Sequence, residues 1–325
     1  MRAALYRRNG RASDVLEIVD LEVPDPGPGE VRVRIVTSGI NPTDWKTRDG
    51  HAGRVPDGFQ VPHHDGSGVV DAIGPGVDHL APGQRVWLYL SAFGNRYGTA
   101  AEHALVPAER VVPLPDDASH ELGACLGVPA LTAAHCLGGD PNDLSGTTVL
   151  VAGGAGAVGH FAIELAKHAG AYVVATVSSA AKRDLAIAAG ADTVVLYTDP
   201  DAVEQILAAN GPVDRVVEVA LADNLALDLA VVAPGATIAT YAAAGELAIP
   251  ASDFMVNNLS LTFTLLYGLT PEQMAAAVRW TSEAVAAGSL TALPIHPYAL
   301  EQIAAAQDRV AENPVGKVLL QVGAP

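Results

Sequence analysis

Three glycines at regular spacing give the first sign of chemistry. Gly153, Gly156 and Gly159 form a GxxGxxG turn between an apolar run at 147–152 and a helical repeat of Val158, Phe161, Ala162, Leu165, Ala166 and Ala169. Gly153 turns the chain, Gly156 lets backbone approach a ligand, and Gly159 lets a helix lie close to a strand. The first N–H groups of such a helix have no partner inside it, and the positive end of its dipole lies there. A pyrophosphate fits that place, along Gly153, Ala155, Gly156, Ala157 and Val158. A glycine turn alone is weak. The buried strand before it and the amphipathic helix after it make a dinucleotide site the better expectation.

The next strand, at 172–177, ends in Ser178 and Ser179, with Lys182 and Arg183 soon after. A carboxylate at this place would bind a ribose 2′-hydroxyl. Hydroxyls and cations suit a 2′-phosphate instead. The cofactor expected is therefore NADPH. The alternative is that Lys182 and Arg183 are solvated residues at the start of a helix.

These residues must be positioned by a larger frame. From about 119 onward, Ala-rich amphipathic segments alternate with apolar strands at 147–151, 172–177, 193–196, 215–219, 237–241 and 259–266. That alternation predicts an α/β fold, a Rossmann-type doubly wound parallel sheet. Residues 1–120 read differently. Short strands at 3–6, 16–19, 31–36, 68–73, 85–90 and 102–106 are separated by Pro/Gly turns, a pattern that suits a β-rich, partly open barrel. A helix at 271–287, a strand at 293–296, a helix at 299–312 and a strand at 317–322 follow. The expected division is a barrel-like catalytic domain at 1–120 and 267–325, with the NADP-binding Rossmann domain at 121–266 inserted into it.

Charge and composition narrow the partners. The 325 residues carry a net charge of −17, which argues against nucleic acid as a main partner. No apolar run is long enough to cross a bilayer, so no membrane partner is expected. The start, MRAALYRRNG, lacks the apolar core of a secretory signal. Two cysteines, Cys125 and Cys136, suit buried thiols in a reducing, cytoplasmic setting.

Several stretches resemble one family along nearly the whole chain and in its order. They are SGINPTDWKTRDG (38–50), VPHHDGSGVVDAIGPGV (61–77), GTAAEHALVPAERVVPLPD (98–116), LGVPALTAAHCL (126–137), the glycine turn and VGKVLLQV (315–322). The chain resembles the medium-chain dehydrogenases/reductases, in particular the zinc-free quinone oxidoreductase branch that includes zeta-crystallin. The resemblance implies a cofactor between the two domains and a homodimer built through strand 259–266. By resemblance, Asn41 belongs beside the nicotinamide ribose, Thr132 among the cofactor contacts and Tyr197 near the 2′-phosphate. Tyr241, Gly316 and Lys317 match cofactor-contacting stretches.

Metal-dependent relatives bind zinc through a cysteine, a histidine and a second cysteine. The matching positions here are Asn41, His64 and Val128, and Val128 cannot ligate. A catalytic zinc needs three protein ligands, so no metal is expected, and His64 and Asp65 are read as hydrogen-bonding residues. Without a Lewis acid, the acceptor must already be electrophilic. A quinone fits, and so does an enone or enoyl thioester reduced at its double bond, as in the tailoring of a secondary metabolite. The candidate catalytic residues are Asn41, Lys46 and His64. Lys46 stands where relatives often carry a tyrosine, and is either a donor or a solvated lysine. Glu218 and Ala220 depart from the family's usual Asp and Gly.

Overall fold

The computed structural model describes residues 1–51, 53, 55–242 and 246–323. The chain begins with β1 (Arg2–Leu5), a short helix α1 (Ala12–Val15), and β2 (Glu17–Asp20), which pairs antiparallel with β1. Strand β3 (Glu30–Gly39) follows, then helix α2 (Pro42–Asp49) and strands β4 (Asp65–Ile73), β5 (Arg85–Leu88), β6 (His103–Pro107) and β7 (Val111–Pro113). The sequence of β3 alternates charged or polar residues with Val31, Val33 and Ile35, and all three apolar side chains are fully buried. That period of two is what a sheet with one covered face requires. β3 pairs antiparallel with both β4 and β6. Helix α3 (His120–Cys125) closes this stretch, capped by the Ser119 hydroxyl.

Helix α4 (Leu131–Cys136) opens a different architecture. Strands β8 (Thr148–Ala152), β9 (Tyr172–Val177), β10 (Thr193–Leu196), β11 (Val213–Glu218), β12 (Val232–Thr240) and β13 (Ser260–Phe263) form one sheet in the order β10-β9-β8-β11-β12-β13. Every pair in it is parallel. Between the strands run α5 (Ala157–His168), α6 (Ala180–Ala188), α7 (Ala202–Asn210), α8 (Leu221–Val231) and α9 (Ala251–Asn257). β8 is buried along its whole length, as a central strand covered on both faces must be. The chain reverses its direction of winding between β8 and β11, the switch point at which such sheets bind ligands.

Helix α10 (Pro271–Ala286) packs on α4 and α5. Strand β14 (Ile295–Ala299), helix α11 (Ile303–Ala311) and strand β15 (Lys317–Gln321) return to the first sheet, whose order is β14-β15-β3-β4-β5-β7 with β6 on β3.

Two compact units result, Met1–Val128 with Ala292–Pro325, and Pro129–Thr291. The first has its core where β1, α11 and β15 meet, around Leu5, Ile40, Ile303 and Leu320, and a second cluster around Val31, Val86 and Val106. The core of the second unit gathers Leu150, Val174, Ile206, Val216 and Ile238. The divisions fall at 128/129 and 291/292, not at 120/121 and 266/267. Ser67 and Leu114 crowd Gly123 of α3 in the first unit, and α10 packs on α4 and α5 of the second. Strand boundaries also move. β13 has four residues where 259–266 was expected, because Leu266–Gly268 turns away in a 3₁₀ turn and Leu266 is buried. β12 starts five residues earlier than 237. The helix expected from 299 begins at Ile303, after a 3₁₀ turn.

Candidate functional site

The glycine turn is built at the carboxyl end of β8. Gly153 has φ +68°, and its carbonyl accepts the Gly156 N–H at 2.9 Å. Gly156 is the N-cap of α5, with its own carbonyl accepting the His160 N–H at 2.8 Å. A Cβ at Gly159 would lie 2.3 Å from the Gly153 oxygen, so only glycine lets the helix cross the turn this closely. Ala155 is buried, Gly156 is exposed, and Ala157 and Val158 are half-buried. The N–H groups of the first turn of α5 are left for a ligand. These residues fit a dinucleotide pyrophosphate.

The end of β9 carries the residues that the sequence assigns to a 2′-phosphate. Ser178 is half-buried. Ser179 caps α6, its hydroxyl accepting the Lys182 N–H at 3.4 Å. Lys182 and Arg183 are half-buried on the first turn of α6. Among the described residues, the buried Arg183 Nε has no hydrogen-bond partner. Tyr197 follows β10, donates its N–H to the Val177 oxygen at 3.2 Å and is 46% exposed. Tyr241 lies at the end of β12, its N–H on the Glu218 oxygen at 3.2 Å. Thr132 is buried on α4. All of these belong to the second unit.

The first unit holds Asn41, Lys46, His64, Gly316 and Lys317. Asn41 is the extended N-cap of α2, with Pro42 as the first helical residue. Its Nδ2 donates to Asp65 Oδ2 at 2.7 Å, and its Oδ1 accepts from Lys317 Nζ at 2.5 Å. Lys317 Nζ also lies 3.7 Å from Asp65 Oδ2. The Asp65 oxygens accept the Val128 N–H at 2.9 and 3.0 Å. Val128 lies in a π-helical stretch, Leu126–Ala130, a geometry that interrupts the usual ladder. Asn41, Asp65 and Lys317 are all nearly inaccessible to solvent. Burial raises the affinity of Asp65 for its proton, while Lys317, the Asn41 amide and the Val128 N–H oppose that rise.

Asp44 completes the group and was not picked out from the sequence. Its Oδ2 accepts the Asn41 N–H at 2.7 Å, and its Oδ1 lies 3.9 Å from His64 Nε2. The N-cap to third-residue spacing of Asn41 and Asp44 is the signal that could have found it. Burial above all, with a contribution from the Asp65 charge, pushes the Asp44 carboxyl up to about 8. His63 Nδ1 meets the Ser38 hydroxyl and its Nε2 meets Gln307, both at 3.0 Å. Burial holds His63 down to about 3, so the ring is neutral. Lys46 is an exposed residue of α2, its Nζ 5.8 Å from the centre of the Trp45 ring. It stands apart from the polar group around Asn41.

Two family models match the chain. Residues 27–116 match the alcohol dehydrogenase GroES-like domain, and residues 157–283 match zinc-binding dehydrogenase. A solved structure described as an NAD-dependent alcohol dehydrogenase is 31% identical, covers 99% of this chain and 100% of its own, and superposes with a TM-score of 0.87. The chain belongs to the medium-chain dehydrogenase/reductase superfamily. It is an oxidoreductase of that superfamily. Its relatives include the quinone oxidoreductase of Rattus norvegicus, 27% identical over 93% of this chain and 92% of that protein. A mycobacterial structure solved in complex with NADPH is 29% identical, with a TM-score of 0.82 and 99% of both chains covered.

The donor set at the superfamily's metal position does not fit a zinc ion. The Lys317 ammonium already sits 2.5 Å from the only side-chain oxygen of Asn41, and a divalent cation there would face that charge. The Val128 side chain carries no donor atom, and its N–H is spent on Asp65. Among the described residues, no helix is long and apolar enough to cross a membrane.

Proposed function

We propose that this chain is an NADPH-dependent oxidoreductase that delivers hydride to a quinone without a metal ion, and that it works as a homodimer. The observation that carries the cofactor choice is the end of β9. Ser178 and Ser179 stand where a carboxylate would select a 2′-hydroxyl. Lys182, Arg183 and the exposed Tyr197 add cationic and donor groups beside them. When bound, the dihydronicotinamide supplies the hydride. The turn at Gly153–Gly159 holds the pyrophosphate through its free N–H groups. Asn41 donates a hydrogen bond to the acceptor oxygen as negative charge gathers there.

The metal-free reading rests on the chemistry of Asn41, Val128 and Lys317. An acceptor that needs no Lewis acid follows from it, and the name of the rat relative favours a quinone. The homodimer rests on the edge of the second sheet. β13 pairs only with β12 among the described residues, and Met255, Val256, Phe263 and Leu265 around it are 66–80% exposed. An open strand edge beside apolar side chains is a liability unless covered.

The test is oxidation of NADPH and of NADH against a benzoquinone, a naphthoquinone, a simple enone, an enoyl thioester and an aldehyde. Turnover of the quinones with NADPH is expected. Turnover confined to the enone or the thioester would instead assign a double-bond reductase. Turnover of the aldehyde alone would remove the metal-free reading.

A further inference from the structure

Lys317 is the single lysine that the described residues of the first unit bury. Gly316 places it there. That glycine has φ +102°, and a Cβ on it would lie 2.2 Å from the Pro294 oxygen. The Lys317 N–H then bonds that same oxygen at 2.8 Å, and the side chain points into the polar group rather than to solvent. A buried ammonium is costly to desolvate and is a poor source of stability. Its surroundings are therefore informative.

The ammonium meets the carbonyl end of the Asn41 amide at 2.5 Å, and the NH₂ end of the same amide meets the Asp65 carboxylate at 2.7 Å. The amide is clamped between a cation and an anion. Two consequences follow. A flipped amide would put NH₂ against the ammonium and C=O against the carboxylate, so one orientation is fixed. Lys317 at the carbonyl end also draws electron density away from the NH₂ group, and this polarisation strengthens its remaining donor, while Asp65 fixes which N–H remains. Among the described residues, the second Nδ2–H of Asn41 has no partner.

We propose that Lys317 and Asp65 are positioning residues that orient and polarise the Asn41 amide, so that its second N–H binds the oxygen on which negative charge develops during reduction. This rests on the reduction proposed above. In that step, a C–H bond of the dihydronicotinamide breaks and both its electrons pass with the hydrogen to the acceptor. A quinone becomes a hydroquinone monoanion, and its proton follows from solvent. Lys317, which the resemblance placed among cofactor contacts, acts instead through Asn41, as an internal cation held one amide away from the chemistry.

The test compares the full chain with Lys317→Met/Asp65→Asn, Lys317→Arg and Asn41→Ser. The double variant removes both charges together, so no buried ion is left unpaired. The first readout needs no cofactor. In the ¹⁵N-labelled protein, the Asn41 side-chain amide, assigned by its loss in Asn41→Ser, should give two widely separated proton resonances. They should draw together in the double variant and separate again in Lys317→Arg. The second readout is kcat for a naphthoquinone. It should fall roughly 10- to 100-fold in the double variant, less than the roughly 10²- to 10³-fold cost of removing an aimed oxyanion donor outright, and recover in part in Lys317→Arg. The dissociation constant for NADPH, read by fluorescence, should move far less. Ordinary, closely spaced amide resonances in the wild type would overturn the clamp. An unchanged kcat despite collapsed resonances would overturn its role, and so would a loss of NADPH affinity as large as the loss of kcat. A wild type that reduces no quinone or enone would sink the reduction and with it the catalytic role. The amide resonances would then report on the clamp alone.

Discussion

Replacing the aspartate at position 228 by asparagine should make the second unit more stable in alkali. Asp228 lies on the buried face of α8 and Glu218 ends β11, and neither is accessible to solvent. Glu218 has the donors. It accepts the Ala220 N–H and the Asn224 amide, the latter at 3.0 and 3.2 Å. Asp228 meets no N–H donor among the described residues. Burial, followed by the Glu218 charge, pushes Asp228 up to about 8. An acid that holds its proton more tightly when folded contributes stability at low pH and loses it as pH rises. Here the loss begins near the ordinary carboxyl range, about 4, and is complete above about 8. The ceiling is about 6 kcal/mol, at roughly 1.4 kcal/mol for each tenfold of proton affinity. Local opening of α8 limits what is observed, and about 2–4 kcal/mol is expected. The substituted amide carries no charge and can donate to Glu218. Urea denaturation followed by circular dichroism at pH 5 and pH 9 measures the effect. Wild type should weaken more between the two than Asp228→Asn, whose remaining loss belongs to Asp44 of the first unit. An equal loss in both proteins would refute the assignment of the proton to this pair.

Three further outcomes are expected. Lys182→Ala should weaken NADPH binding by roughly 1–3 kcal/mol, the value of a charge-assisted hydrogen bond, and leave NADH nearly unchanged; equal losses in fluorescence titrations would remove Lys182 from the 2′-phosphate. Gly159→Ala forces a Cβ to within 2.3 Å of the Gly153 oxygen, so a loss of about 1–3 kcal/mol in stability should accompany weaker binding of both cofactors, measured by thermal denaturation and titration. Phe263→Lys should convert a dimer to monomer in analytical ultracentrifugation, since it sets a charge beside the open edge of β13; a monomeric wild type would contradict the interface.

Much of the second sheet was legible because its strands are apolar on both faces. Tyr172–Val177 and Thr193–Leu196 fall where the sequence puts them. β12 was read short because Pro234 and Gly235 look like a turn, although the strand runs through them. The allegiance of α10 was not legible. An Ala-rich amphipathic helix says that one face is buried, not which sheet buries it. The glycine turn was legible because backbone geometry limits what can stand there. The amide clamp was not, since Asn41, Asp65 and Lys317 meet only through the pairing of β3 with β4 and β15. Asp228 left a trace that was missed. It shares helical spacing with Leu221, Leu225 and Val231, and an acid on an apolar face requires a partner.

Hydride transfer from NADPH to a quinone without a metal is the step on which the rest depends. Single-turnover oxidation of NADPH by a naphthoquinone tests it, using protein stripped with a strong chelator and checked for zinc by elemental analysis. The rate should be the same before and after stripping, with NADPH strongly preferred over NADH. A rate lost on stripping and restored by zinc would contradict metal-free transfer, and equal use of the two cofactors would contradict the reading of Ser178, Ser179 and Lys182.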